Sequence, residues 1–146
     1  MDSKALYLVQ TDTTVGFLSQ DSAKLSKIKN RPKSKTFVSV FTNFKTFKEK
    51  KRRIANKYKA YIRAAKETTF VSKNRASRIV KSELHSQFLQ SFGWFFSTSA
   101  NQSGQVFNET FARNSTEIIV EDSYGFHESR PSTILKLSPT RKVKLR

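Results

Sequence analysis

The chain has 146 residues, of which 36% are hydrophobic and 13 are phenylalanine, so it is long enough to form one domain with an apolar core. It contains no cysteine, which excludes disulfides and cysteine-based metal sites, and its two histidines are too few for a conventional zinc site. The 28 Lys and Arg residues outnumber the 11 Asp and Glu residues, which gives a formal charge of +17 and indicates a polyanionic partner, nucleic acid before membrane. The sequence has neither a membrane-length apolar run nor a signal-peptide pattern, and we expect a cytoplasmic protein.

The first part of the chain predicts two strands separated by a short helix. Residues 5–10 (ALYLVQ) form an apolar run typical of a buried strand, and the hydroxyl-rich residues 11–17 follow it as a turn. Asp21 begins a short helix as its N-cap, and the helix ends near residue 29. Residues 36–41 (TFVSVF) alternate in polarity and predict the second strand.

Two cations follow the short helix. Pro32 disfavours helix in the residue before it, so we expect residues 29–31 to be extended, with Lys29 and Arg31 on the same side. Two neighbouring cations suit a phosphate or a carboxylate, and arginine adds a bidentate hydrogen-bonding group. The pattern Lys-x-Arg is frequent in any basic chain, so it is a weak signal by itself.

A long basic helix, in one piece or two, is predicted over residues 45–66. Apolar side chains recur at three-, four- and seven-residue spacings between Phe47 and Ile62. The polar face is nearly all of one sign, which favours either a solvated surface or contact with the phosphates of RNA. Four of its cations are consecutive: Lys50, Lys51, Arg52 and Arg53.

The second half of the chain predicts further strands and one amphipathic helix. The strands are expected at residues 68–71, 77–80, 94–96, 116–120 and 131–137. The helix runs from Glu83 to Phe92 and is closed by Gly93, with Leu84, Phe88, Leu89 and Phe92 facing inward. His85 is expected to be a packing or surface residue of this helix and not a catalyst.

The most conspicuous stretch is residues 96–104 (FSTSANQSG). Three hydroxyl side chains follow a buried strand directly, and Gly104 closes the turn. Polar turns at the ends of buried strands are where open α/β sheets usually bind ligands. The same composition also occurs in ordinary loops.

Four separated motifs occur in one order along the chain. They are Thr11-Asp12-Thr13, Lys29-x-Arg31-Pro32, residues 97–104 (STSANQSG) and Pro131-Ser132-Thr133. Together, each beside a predicted strand, they resemble the YrdC/YciO family, the threonylcarbamoyl-adenylate (TsaC-like) synthases of tRNA modification. The similarity extends over essentially the whole chain, and we expect a single domain over residues 1–146. The resemblance implies a mixed α+β fold similar to YrdC and RibB, with a twisted mixed sheet flanked by helices and a central basic cavity.

The resemblance also implies a reaction and its participants. In this family L-threonine, bicarbonate and ATP give threonylcarbamoyl-adenylate and pyrophosphate, and a separate transferase complex passes the threonylcarbamoyl group to tRNA. ATP with Mg²⁺ is then a substrate, and the resemblance implies no tightly bound cofactor and no resident metal.

The motifs carry implied roles for individual residues. The basic pair that handles nucleotide phosphates and the nascent carbamate is Lys29 and Arg31. The threonine-binding hydroxyls are Thr13, Ser99 and Ser132. The nucleotide-side residues are Arg31, Lys35, Thr69, Lys73, Asn101 and Arg146. Arg78 is a cavity-wall residue.

The chain departs from the family pattern at several positions. Gln10 replaces a common Pro, Val15 replaces an aromatic residue, and Val40 replaces a His that helps to hold threonine in many members. The intact phosphate-side motifs favour the synthase. Val40 and a short segment between Thr13 and Lys29 favour a second hypothesis, a non-catalytic RNA-binding module on the same fold. A third hypothesis, a basic structural or ribosome-associated protein, does not require the ordered hydroxyl motifs.

Overall fold

The computed structural model describes residues 1–32, 34–50 and 52–146, and these residues form one nine-stranded mixed sheet with five α-helices. The strands are β1 Tyr7–Gln10, β2 Val15–Ser19, β3 Val38–Phe41, β4 Thr68–Ser72, β5 Arg75–Ile79, β6 Trp94–Ser99, β7 Ile118–Val120, β8 Thr133–Leu137 and β9 Lys142–Lys144. The helices are α1 Ser22–Ile28, α2 Phe44–Glu49, α3 Lys59–Ala64, α4 Glu83–Gln90 and α5 Glu109–Asn114, with a 3₁₀ turn at Asn56–Tyr58 before α3.

The strand order is β7-β1-β2-β6-β3-β5-β4-β8-β9, which combines both kinds of pairing. The pairs β1–β7, β3–β5 and β4–β8 are parallel, and the other neighbours are antiparallel. The predicted mixed sheet flanked by helices is therefore confirmed.

One face of the sheet packs against α4, and we call it the α4 face. The phenolic ring of Tyr7 and the ring of Phe95 contact Phe88 and Phe92, with ring centroids 4.8 to 5.8 Å apart. Val40 is fully buried in the same cluster. Aromatic pairs in edge-on and stacked geometries stabilise such a cluster beyond the area that they bury.

The opposite face is covered by the other four helices. Leu25 of α1 and Ala112 of α5 are buried against strand residues such as Phe17. Further along the sheet, Phe47 of α2 and Ile62 of α3 are buried in a separate cluster that includes strand residues Phe41 and Phe70. Because side chains alternate along a strand, each strand contributes to both layers.

Small side chains leave a cavity on the α4 face beyond the reach of α4. Gly16 of β2 pairs with Ser99 of β6, and Ser97 of β6 pairs with Val38 of β3. A Cβ atom at Gly16 would lie 2.9 Å from the Cγ2 atom of Thr11, so no larger residue fits there without a shift. Bulky side chains fill this face of the sheet near α4, whereas the small side chains leave it open beyond α4.

Some sequence-based expectations differ from the structure, and residues 15–17, predicted as part of a turn, lie in strand β2. Residues 97–99 continue strand β6 instead of forming a turn, because β6 pairs with both β2 and β3. The basic helix of residues 45–66, which was predicted in one piece or two, is in two pieces, with residues 52–55 in neither helix. Leu84 is 57% exposed, and His85, which was expected as a packing or surface residue, takes the buried position at the start of α4.

None of the helices in the described ranges is long and apolar enough to cross a membrane.

Candidate functional site

A cavity of about 330 Å³ lies on the α4 face between β2, β6, β3, β5 and β4. It brings together seven of the residues that the sequence predicted for the site: Thr13, Arg31, Thr69, Arg78, Ser99, Ser132 and Arg146. Three of these are arginines, and no acidic side chain is among the described residues that line the cavity. The cavity is therefore basic and rich in hydroxyl groups.

Arg31 reaches the cavity because of how α1 ends. Asn30 adopts a left-handed conformation with φ of 48°, and the Arg31 N–H donates to the Ser26 carbonyl at 2.9 Å, which is a Schellman-type helix end. The Arg31 guanidinium then lies 5.1 Å from the ring centre of Phe37 in the cavity wall. The expectation that residues 29–31 are extended is wrong, because Lys29 is helical and Asn30 is left-handed.

Lys29 is turned away from the cavity and supports the loop that follows β6. It is only 5% exposed. Its Nζ atom donates to the carbonyl oxygens of Ser99 and Asn101 and, at 3.1 Å, to Oδ1 of Asn101. Burial, and then the charge of Arg31, lower the pKa of Lys29 to about 8. Lys29 is thus a positioning residue in this structure, since all three of its protons are used within the protein.

Residues from distant parts of the chain meet at the β8 side of the cavity. The hydroxyl groups of Thr69 and Ser132 are 2.8 Å apart. The Nε atom of Arg146 donates to the Ser132 carbonyl at 2.9 Å, and its Nη2 atom lies 3.3 Å from the Ser132 hydroxyl. The guanidinium of Arg146 is therefore held by Ser132 at the edge of the cavity.

The turn between β1 and β2 supplies hydroxyl groups at the other side. Thr11 and Thr13 are buried, and their hydroxyl oxygens are 3.3 Å apart. The Thr13 N–H donates to the Thr11 hydroxyl at 3.1 Å. This small network fixes the direction of the Thr13 side chain at the cavity.

A buried carboxylate lies beside the cavity wall. The Oδ1 atom of Asp12 is 3.4 Å from Nη2 of Arg78 and 3.4 Å from Nδ1 of His85. Burial raises the pKa of Asp12, but the neighbouring imidazole of His85 and the charge of Arg78 outweigh this effect and lower it. Burial lowers the pKa of His85 more strongly than Asp12 raises it, so the imidazole is neutral at pH 7 and Arg78 is the counter-ion.

Sequence reasoning did not assign Asp12 or His85 to the site. Asp12 stands next to Thr13, which was assigned, and an acid in a strongly basic chain is a signal for a buried ion pair. His85 carried no such signal, because its contact with Asp12 joins residues 73 positions apart in the chain.

Besides Lys29, three predicted site residues lie outside the cavity lining. Asn101 lies in the loop that Lys29 supports and lines a neighbouring hollow. Lys35 lines a small hollow beside α1. Lys73 is in the β4–β5 turn and lines a cleft on the opposite face of the sheet.

Three of the four predicted RNA-contacting residues lie in the described ranges, and these three do not form one helical surface. Lys50 lies over the indole ring of Trp94, with Nζ 4.7 Å from the ring centre. Lys51 lies outside the described residues. Arg52 and Arg53 line the same opposite-face cleft as Lys73.

The described residues contain no cluster of three or more His, Cys, Asp or Glu side chains that could hold a metal ion. The functional side chains at the cavity are hydroxyls and guanidinium groups, whereas Mg²⁺ prefers carboxylates and phosphates. These residues therefore do not fit a resident magnesium ion.

The chain matches a protein-family model, Sua5/YciO/YrdC, described as "Telomere recombination", over residues 3–146. No curated protein sequence matches it. This match covers nearly all of the chain.

Solved structures with a similar fold include P. abyssi Sua5 complexed with L-threonine (TM-score 0.77, 18% identity) and E. coli YciO (TM-score 0.76, 13% identity). The MTH1692 protein from Methanobacterium thermoautotrophicum is also similar (TM-score 0.65, 17% identity). Each alignment covers 98% of this chain, together with 50% of the Sua5 chain, 82% of YciO and 80% of MTH1692. The chain thus spans about half the length of P. abyssi Sua5. At these identities the likeness concerns the fold.

Proposed function

We propose that this chain, which belongs to the Sua5/YciO/YrdC family, makes threonylcarbamoyl-adenylate from L-threonine, bicarbonate and ATP. The observation that carries the proposal is one cavity that three arginines line together with hydroxyl residues from five separate segments of the chain. Guanidinium groups suit phosphate and carbamate anions, and hydroxyls suit the ammonium and hydroxyl groups of threonine.

The reaction needs no nucleophile from the protein. The amino nitrogen of threonine bonds to the carbon of bicarbonate with loss of water, which gives a carbamate. A carbamate oxygen then bonds to the α-phosphorus of ATP, and the bond to the leaving pyrophosphate breaks. Negative charge develops on the phosphoryl oxygens, so positioning and electrostatic stabilisation supply the catalysis.

Each side of the cavity has a role in this scheme. Arg31 and Arg146 bind the phosphate and carbamate groups, and Arg31 is the residue that we assign to the transition state. Thr13, Ser99 and Ser132 hold threonine, and the L-threonine complex of P. abyssi Sua5 supports threonine as the ligand.

Lys29 and Mg²⁺ contribute indirectly to this scheme. Lys29 positions the loop that carries Ser99 and Asn101. Mg²⁺ enters with ATP as part of the substrate, where it neutralises phosphate charge. The product passes to a separate transferase complex that modifies tRNA.

A non-catalytic RNA-binding module is the second candidate. It is favoured by strand β3, in which Val38 lines the cavity and Val40 is buried in the core. Neither residue gives the cavity a polar side chain. This strand would hold threonine only through apolar contact.

Pyrophosphate release from ATP separates the two candidates. The synthase releases pyrophosphate only when both threonine and bicarbonate are present, and omitting either one abolishes the release. A chain that releases none under any condition, while it still binds RNA, is the RNA-binding module.

A further inference from the structure

A second basic cleft lies on the opposite face of the sheet from the cavity. It has a volume of about 300 Å³ and lies between strands β4 and β5 and the segment that follows α2. Four cations line it: Arg52, Arg53, Lys73 and Arg75. Because Ser77 and Arg75 alternate with the cavity residues Ala76 and Arg78 along β5, the two basic sites are back to back.

We find no acidic partner for these cations among the described residues. No acidic side chain is among the described residues that line the cleft, and none of the ion pairs found across residues 1–32, 34–50 and 52–146 involves the four cations. Burial, and then the charge of Arg75, lower the pKa of Arg52. Like charges held together at a partly desolvated position are stabilised by an anion.

The Arg52 guanidinium is held in place on the sheet. Its Nη2 atom donates to the hydroxyl oxygen of Ser39 on β3 at 2.7 Å, and its Cζ atom lies 5.8 Å from the ring centre of Phe41. The segment is anchored because Ile54 packs against the core cluster of this face. A fixed guanidinium loses little conformational entropy when it binds an anion.

The cleft is joined to a second cleft, so that the two together are larger than the space for one phosphate group. A neighbouring cleft of about 360 Å³ shares Arg53, Ile54, Ser72 and Lys73 with it and extends to Lys136 and Ser138 near the end of β8. Two joined basic spaces across neighbouring strands suit a chain of phosphates better than a single small ion.

We propose that this cleft binds consecutive phosphates of a nucleic-acid backbone, on the side of the sheet opposite to the cavity. The net charge of +17 favours a polyanion as the partner. The site is independent of the proposed function, since it holds whether or not the chain makes threonylcarbamoyl-adenylate.

The test is the salt dependence of binding of an unmodified tRNA transcript to the full chain. Replacing Arg52 and Arg75 together with Gln removes two phosphate contacts. We expect the slope of log affinity against log salt concentration to fall by about 1.5 in magnitude, because each contact contributes roughly 0.7 to 0.9. The single variant Arg75→Gln should reduce the slope by about half as much. Arg75 is exposed, so this substitution does not endanger folding.

The matched control is Lys4→Gln with Lys27→Gln, which removes the same charge from exposed positions elsewhere. We expect its slope to stay close to that of the unaltered chain. An equal fall in the control pair would overturn the proposal, since binding would then depend on net charge alone.

Two further measurements separate this site from the cavity and from small anions. Arg31→Ala should leave the salt slope of tRNA binding unchanged. If this slope falls more in Arg31→Ala than in the Arg52/Arg75 double variant, the nucleic acid binds in the cavity and the proposal is overturned. Inorganic pyrophosphate is titrated in parallel. If the pair of substitutions weakens pyrophosphate binding and leaves tRNA binding unchanged, the cleft is a small-anion site and the proposal fails.

Discussion

The carboxylate of Asp12 and the guanidinium of Arg78 form an ion pair beside the cavity, with Oδ1 and Nη2 3.4 Å apart and side chains only 2% and 7% exposed. Arg78 belongs to the cavity wall, whereas Asp12 lies behind the lining. The pair therefore fixes a cavity cation from behind.

We expect Asp12→Asn to lower the free energy of unfolding by roughly 3 to 5 kcal/mol, because it leaves the charge of Arg78 buried and unpaired. The double variant Asp12→Asn/Arg78→Met should lose less free energy of unfolding than the two single variants lose together, since neither charge is then buried alone. Chemical denaturation of the four proteins measures this coupling. Strictly additive losses would show that the two charges do not stabilise each other.

His85 should make the protein sensitive to acid. Its folded pKa lies below the ordinary value of 6.5, mainly because of burial. The unfolded chain therefore takes up a proton near pH 6.5 that the folded chain does not, and the free energy of unfolding falls as the pH is lowered from about 7 to about 5. We expect His85→Asn to flatten this fall. The exposed His127 supplies the control, because His127→Asn should leave the fall unchanged.

Lys29 should have an effect of the same sign at alkaline pH. Folding lowers its pKa from 10.5 to about 8, so between these values the unfolded chain binds more protons than the folded one. The contribution of Lys29 to the free energy of unfolding therefore rises with pH across this window, by on the order of 2 to 3 kcal/mol. Below pH 8 the group is charged in both states, and its contribution is constant.

The variant Lys29→Met isolates this effect. It should lose the alkaline rise and, at pH 7, cost about 1 to 3 kcal/mol, because the oxygens of Ser99 and Asn101 lose their donor. Lys27→Met, an exposed position on the same helix, should do neither. An alkaline rise that survives in Lys29→Met would show that another group titrates in this window.

Ser132 tests the threonine side of the cavity. We expect Ser132→Ala to raise the threonine concentration needed for half-maximal rate several-fold, because a neutral hydrogen bond contributes about 1 kcal/mol, and to change the ATP requirement less. Steady-state rates at varied threonine and varied ATP measure the two requirements. A larger rise in the ATP requirement would mean that Ser132 acts through Arg146, to which it is hydrogen-bonded.

The sequence predicted the parts of the fold that depend on local patterns. Apolar runs and alternation located β1, β3 and β8, and Asp21 capped α1 as expected, with its side chain accepting from the Ala23 N–H. Helix α5 was missed although Asn108 caps it, because it is short. Strand β9 was missed because its three residues are exposed, two of them are lysines, and they are ordered only by pairing with β8.

The site could be predicted only as a set of motifs. Thr13, Arg31 and Ser132 belong to these motifs, so they could be assigned without coordinates. The orientation of the Lys29 side chain could not be predicted, because it depends on the left-handed conformation of Asn30 and on a loop 70 residues away in the chain. The basic cleft could not either, since it is formed by segments that meet only across the sheet.

The most direct test of the account is the formation of threonylcarbamoyl-adenylate itself, followed by mass spectrometry with labelled threonine. The unaltered chain should make the product only with bicarbonate and ATP present. Arg31→Ala should reduce the rate about a hundredfold, because it removes a charge-assisted contact that strengthens in the transition state, and should barely change the melting temperature. Lys27→Ala removes an equal charge from the exposed face of α1 and should keep the full rate. Absence of product from the unaltered chain, or full activity in Arg31→Ala, would contradict the account.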